Sequence, residues 1–411
     1  MMPKAELFRP LRGISLAALV VVLSSPGALS GEEREPPGIL GDAPGSATSS
    51  PPHAATGPAA VPDRTAPRAA VLAFTGDIIP HKPVSRFARG FARDSDAEYD
   101  FTPIFEHVAP LLQAADLAIC HLETTISDGP VTGYPRFGAP LELVEAIAEA
   151  GWDGCSLASN HAFDFGADGV VRTLQAMQEA NLASTGTAVN RESRRDARYR
   201  VNGIQVSHLS YTYGLNGARL PEGETWWVNL IDVEVIGDDA EEARSEGAEF
   251  VVVSLHWGVE YRRMPSASQE RLAREIAALG TVDLLIGHHA HVLQPIDRID
   301  GMWVVYGLGN FLSNQNPVCC TPSSEDGAVL HVEIGDSPDG LAVGTITYTP
   351  TWVDRRAMQV IPVADRLSGP DVDQRLQATL RKSWERTVEA LGALGADQLG
   401  VRPTGSLPPP G

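Results

Sequence analysis

The sequence is poor in several things, and each shortage excludes a class. Four cysteines in 411 residues are too few for a disulfide-dense scaffold. Lysine is nearly missing: only Lys4, Lys82 and Lys382 occur. None lies between a glycine and a Ser or Thr, so there is no phosphate-cradling P-loop. Lys and Arg number 32 against 52 Asp and Glu, a formal net charge of −20. Phosphate backbones and anionic lipids need cations to neutralise them, so no nucleic-acid partner is expected. No Gly-x-Ser-x-Gly elbow is present. Gly307-Leu308-Gly309 lacks the third glycine of a dinucleotide fingerprint.

The ends differ from the middle. Lys4, Arg9 and Arg12 precede an apolar stretch, 14–23, and Ala28-Leu29-Ser30 offers small residues for cleavage. The stretch is too short to span a bilayer comfortably, and the pattern predicts a signal peptide over 1–30. The protein is therefore expected to be exported: secreted, periplasmic or on the cell surface. Residues 31–68 carry eight prolines among Gly, Ala, Ser and Thr, with no apolar period. Such a composition cannot offset its ordering entropy and predicts a disordered tether. A folded domain is expected over 69–395, with a disordered proline-bearing tail over 396–411.

Short apolar runs alternate with helical patterns from residue 70 onward, which predicts a largely parallel sheet. Runs at 70–74, 116–122 and 155–158 read as buried strands, and those at 250–255 and 282–286 likewise. Asn202-Gly203 and Asp300-Gly301 mark hairpins. Ser266 with Gln269 is a capping box opening a helix that Gly280 closes. Cys120 and Cys155 fall inside apolar runs and read as packed thiols. The pairing of the adjacent Cys319 and Cys320 stays open.

Polar residues of metal-binding type gather where these strands end. The first strand runs into Asp77, the second into His121 and Glu123, and the third into Asn160 and His161. The later two run into His256 and into His288, His289 and His291. Ligands of α/β sheets bind at the carboxyl ends of strands, so five such loops together predict a metal site. His289 and His291 are two apart, and extended backbone would turn both rings to one side, with Gly287 allowing a sharp turn into the pair. Mixed oxygen and nitrogen donors suit one or two ions of Mn, Fe or Zn. His81 is a further candidate near Asp77. His53, His107, His208 and His331 occupy positions without such a pattern.

Taken in order, these motifs resemble the bacterial CapA family of capsule and poly-γ-glutamate synthesis proteins, within the calcineurin-like metallophosphoesterase superfamily. The matching stretches are 74–77 (FTGD), 116–123 (DLAICHLE), 158–166 (ASNHAFDFG), 254–261 (SLHWGVEY), 287–295 (GHHAHVLQP) and 305–311 (VYGLGNF). The resemblance implies a four-layer αββα sandwich, two mixed sheets flanked by helices. It implies Asp77, Glu123, Asn160, His256, His289 and His291 as metal ligands and His161 as proton donor. His81, His121 and His288 stand as additional candidates. It further implies a role in making an anionic polymer, with a phosphoester or polymer substrate and a membrane-bound synthase as partner. A non-catalytic metal-binding partner of that synthase and a nucleotidase-like phosphatase are the alternatives. The sequence departs from the pattern in four places: Ile79 stands where the superfamily has the histidine of Asp-x-His, His121 and Ser159 where the family has asparagine, and Gly307 where it has serine.

Overall fold

A computed structural model describes residues 67–407 apart from residue 339. The expectations for 1–30 and for all but the end of 31–68 lie outside the described residues. The alternation of apolar residues builds two large sheets. The first has nine strands, in the order Gln359–Pro362, Gly340–Asp354, Asp326–Ser337, Ala69–Ile78, Leu117–Leu122, Gly154–Ser156, Ala183–Thr185. Asn310–Leu312 also pairs with Ala69–Ile78, and Arg402–Pro403 with Gly340–Asp354. From Ala69–Ile78 to Ala183–Thr185 the neighbours run parallel, whereas Asp326–Ser337, Gly340–Asp354 and Gln359–Pro362 join them in antiparallel pairs. The second sheet has six strands: Leu293–Ile299, Met302–Leu308, Leu284–His288, Phe250–His256, Ile204–Thr212, Ala197–Val201. Its centre is parallel, and the two edge strands are the hairpins foreseen at Asn202-Gly203 and Asp300-Gly301.

Successive residues of a strand face opposite sides, so each sheet buries two faces. Leu72, Phe74, Leu117 and Ile119 of the first sheet pack with Val252, Leu284, Ile286 and Val305 of the second. Their neighbours Ala73, Ala118 and Cys120 face outward onto Ile104, Phe105, Leu143, Val144 and Ile147 of the covering helices. On the far side Val251, Val253, Leu255 and Leu285 pack under Ile236, Ala240, Ala273 and Ile276. The result is a four-layer αββα sandwich. The Ser266–Gln269 capping box and the left-handed Gly280 bound the helix Ala267–Leu279 as expected.

Three expectations need correction. Cys120 and Cys155 are not packed thiols but a disulfide with Cα atoms 4.4 Å apart. Their strands are parallel neighbours and the two residues are register partners, a long-range fact that neither apolar run reveals. Cys319 and Cys320 are also paired. The folded chain does not stop at 395: Ala396 and Val401 are buried, and Arg402–Pro403 adds a strand to the first sheet. Nor does the tether reach 68, because Arg68 is held by Glu249 at 2.7 Å and Asp336 at 2.8 Å.

Candidate metal centre

The parallel strands of both sheets end on one edge of the sandwich. Asp77 and His121 are register partners at the ends of their strands, and His256 and His288 are partners at the ends of theirs. Glu123 follows directly, its backbone N–H donating to Ile78 O at 3.1 Å. Sheet packing then sets these four strand ends against each other. Asp77, His121, Glu123 and His256 are all 0% exposed.

Two donor groups result. One oxygen or nitrogen from each of Asp77, His121, Glu123 and His256 lie within 4.8 Å of one another, and so do donors of Glu123, His289 and His291. Glu123 belongs to both. Its Oε1 lies 3.6 Å from His256 Nε2 and 3.8 Å from His291 Nε2. Asn160 Oδ1 is 3.0 Å from His256 Nε2. Asp77 accepts from the His289 backbone N–H at 3.2 Å, and its oxygens lie 3.2 Å from His288 Nδ1 and from His291 Nδ1.

Whether these residues fit a cation is decided by what they leave unmatched. Both oxygens of Glu123 and Nδ1 of His289 are buried without a hydrogen-bond partner. An uncompensated buried carboxylate costs several kcal/mol, roughly, so such a group is normally paired or bound to metal. A divalent cation between Glu123 and the imidazoles supplies the missing partner, and the donor set suits Mn, Fe or Zn.

The protonation states point the same way. Burial pushes His256 and His121 well below the usual imidazole value, and burial with the neighbouring His291 brings His289 down to about 3. These rings are neutral near pH 7. Burial also acts to lower His291, but the Glu123 and Asp77 carboxylates outweigh it and raise the ring to about 9. Burial pushes the Glu123 carboxyl up. Asp77 is opposed by burial, yet the hydrogen bonds of His288 and His291 hold it below the usual carboxylate range.

The convergence of His289 and His291 does not come from extended backbone. The strand ends at His288, and both residues are left-handed, with φ of +83° and +54°. Non-glycine residues held there cost on the order of 1–3 kcal/mol, a strain concentrated at functional sites. Nor does Gly287 make a turn. It lies inside the strand, where a Cβ would come within 1.9 Å of Tyr306 O and 2.6 Å of Trp257 Nε1.

The structure thus brings together Asp77, Glu123, Asn160, His256, His289 and His291, with His121 and His288 beside them. His288 contacts Asp77 and stacks on His121 with ring centroids 4.0 Å apart. His81 stays outside both donor groups. It caps the helix Lys82–Phe91, its Nδ1 lies 3.1 Å from Ile79 O, and its ring packs edge-on to Phe137. His161 sits beside the centre, its Nδ1 2.8 Å from Asp164 Oδ2 and its ring 4.7 Å from that of Phe137.

Several contributors escape sequence reasoning. Asp164 stands three residues after His161, a spacing that could have flagged the pair. It also accepts from the Phe137 N–H at 2.7 Å. Asn310, in the 305–311 motif, has Oδ1 3.0 Å from His291 Nδ1. Its amide nitrogen donates to His291 O, Gln315 Oε1 and Ser324 O. Tyr213 lies over the centre, 4.6 Å from the His289 ring, with no sequence signal at all.

Fold and site together define an αββα sandwich that gathers carboxylate, amide and imidazole donors at its strand ends. The family described as bacterial capsule synthesis protein PGA_cap matches residues 71–315, more than half of the chain, and the chain belongs to that family. The chain is similar to the capsule biosynthesis protein CapA of Bacillus anthracis, 29% identical over 65% of this chain and 64% of that one. It is also similar to the PGA biosynthesis protein CapA of Bacillus subtilis, 29% identical over 59% of this chain and 63% of that one. The chain thus spans under two thirds of the length of these two relatives. Among solved structures, the calcineurin-like phosphoesterase YfkN of Bacillus subtilis superposes with a TM-score of 0.44 at 14% identity. That superposition covers 79% of this chain and 99% of that one.

Proposed function

We propose that this protein acts outside the cytoplasm in producing a capsule or poly-γ-glutamate-type polymer, through a metal-dependent phosphoester hydrolase-type site. The observation that carries the reading is the buried, unpartnered Glu123 carboxylate set among imidazoles at the strand ends. Asp77, Glu123 and His256, with Asn160 beside them, would hold a first ion, and Glu123, His289 and His291 a second. When bound, such ions lower the pKa of a water and polarise a phosphoester oxygen. His161 supplies the proton that the leaving oxygen needs. Its Nδ1–H donates to Asp164, which fixes the ring and leaves Nε2 as the nitrogen that would serve the reaction. The edge of Phe137 keeps that ring from rotating.

Export is supported by the charged-then-apolar start and by two disulfides among the described residues, which persist in oxidising compartments. The names of the Bacillus relatives and of a probable polyglutamine synthesis accessory protein of Mycobacterium tuberculosis support work alongside a polymer synthase. One observation favours a second reading, a non-catalytic metal-binding partner of that synthase: the buried Ile79 removes an imidazole from the first ion's side. Deleting the gene and measuring anionic surface polymer tests the role. Loss of polymer is expected, and an unchanged amount contradicts it. Restoration by a His161→Ala copy would favour the non-catalytic partner.

A further inference from the structure

His121 falls in one of the two donor groups, yet both of its ring nitrogens are already engaged by protein. Nδ1 lies 2.7 Å from Ser156 Oγ, and Nε2 lies 2.9 Å from His256 Nδ1. Ser156 Oγ in turn is 3.3 Å from Cys120 O. At the other end of the chain, His256 Nε2 faces two oxygens, Asn160 Oδ1 at 3.0 Å and Glu123 Oε1 at 3.6 Å. Ser156, His121 and His256 are 0% exposed, so water cannot substitute for any link.

We propose that His121 is a positioning residue, not a ligand: with Ser156 it forms a relay that aims the Nε2 lone pair of His256 at the metal. The inference rests on the metal reading above. Each member of the relay carries one hydrogen, and the row has two consistent settings. In one, Ser156 O–H donates to His121 Nδ1, His121 Nε2–H to His256 Nδ1, and His256 Nε2–H to Asn160 Oδ1. In the other, every donor is reversed. His256 Nδ1–H donates to His121 Nε2, His121 Nδ1–H to Ser156 Oγ, and Ser156 O–H to Cys120 O. Only the second leaves a lone pair on His256 Nε2, where Glu123 Oε1 and Asn160 Oδ1 converge. Both settings hold three hydrogens, so the switch releases no proton and needs no charged ring. Outer partners of this kind fix the tautomer of ligating histidines and typically govern about 10–100-fold in metal affinity.

The test uses the full chain, stripped of metal and titrated with Zn against a competing chelator. Bound Zn is counted at saturation, and the number of coordinated imidazoles is read by X-ray absorption. His121→Phe keeps the stack on His288 but offers no acceptor, whereas His121→Gln restores an acceptor oxygen. His121→Phe should bind about 10–100-fold more weakly, with unchanged Zn and imidazole counts. His121→Gln should recover most of the loss. A His121→Phe protein that loses a whole ion or one coordinated imidazole would make His121 a ligand and overturn the inference. Equal weakening in the Phe and Gln variants, or none in either, overturns it as well. Should His121→Phe fail to fold, Ser156→Ala decides. Weaker binding at unchanged counts supports the relay, and unchanged binding overturns it. Wild-type protein that binds no Zn refutes the metal reading itself, a failure distinct from any of these.

Discussion

His291 gives the metal-free protein a pH dependence opposite to that of most folded domains. Its ordinary value is 6.5, and in the fold the Glu123 and Asp77 carboxylates, overriding burial, raise it to about 9. A group raised on folding contributes stability that is fully present below 6.5 and is lost as pH rises through 9. The shift is about 2.5 units, which corresponds to roughly 3 kcal/mol. Roughly 1.5 kcal/mol of it is lost between pH 7.5 and 9, a fall in Tm of about 2 °C for a domain of this size. Glu123, raised by burial, acts in the same direction. His81, His121, His208, His256, His289 and His331 are all pushed below their usual value by burial; the unfolded chain still partly protonates them at pH 6.5, so they oppose the trend there, but they are neutral in both states above about pH 7.5. A cation must displace the same proton, so metal affinity should rise over this range, by up to about tenfold per pH unit. Thermal melts in chelator at several pH values, repeated with saturating Mn, provide the assay. The slope should shrink in His291→Gln to the part that Glu123 contributes. A metal-free Tm that stays flat or climbs from pH 7.5 to 9 would contradict this assignment.

Other consequences can be checked separately. Replacing both Cys120 and Cys155 with Ala opens a link of sequence separation 35 and should cost roughly 3–4 kcal/mol in a urea melt. Asn310→Ala removes the nearer of two acceptors at His291 Nδ1, the other being Asp77, and metal affinity should fall by up to about 10-fold with the ligand set intact. A titration indistinguishable from wild type would refute that role. Protein recovered outside its host cells should begin near Gly31, and an intact Met1 on cytosolic protein would contradict export.

Local features were legible where their physics is local. Asn202-Gly203 needs left-handed backbone at both positions and obtains it, φ +49° and +83°, so the hairpin could be read from two residues. The Ser266 capping box and the strand ends at Asp77, His256 and His288 were legible for the same reason. What failed depends on partners far away in sequence. The return of Asp326–Ser337 to lie beside Ala69–Ile78 leaves no trace in either segment, and the Cys120–Cys155 link follows from the same kind of long-range register. The helix Val233–Ser245 went unread although Asp232 caps it, because its buried face is built from Gly237, Ala240 and Ala243 as much as from Ile236. At the site, the donors could be named but not their backbone. The left-handed His289 and His291 are held against their own preference by surrounding packing, and Tyr213 joins them through a loop with no pattern of its own.

The central claim is that the buried donors around Glu123 hold metal and that His161 acts beside it. Metal content of the purified chain, measured with a generic phosphoester assay on wild type, His289→Ala and His161→Ala, tests it most directly. Wild type should carry at least one transition-metal ion and hydrolyse the ester. His289→Ala should lose metal and activity together, and His161→Ala should keep its metal and lose activity. A protein that binds no metal, and whose Tm ignores added Mn and Zn, would contradict the account, because a ligand that binds only the folded state must raise its stability.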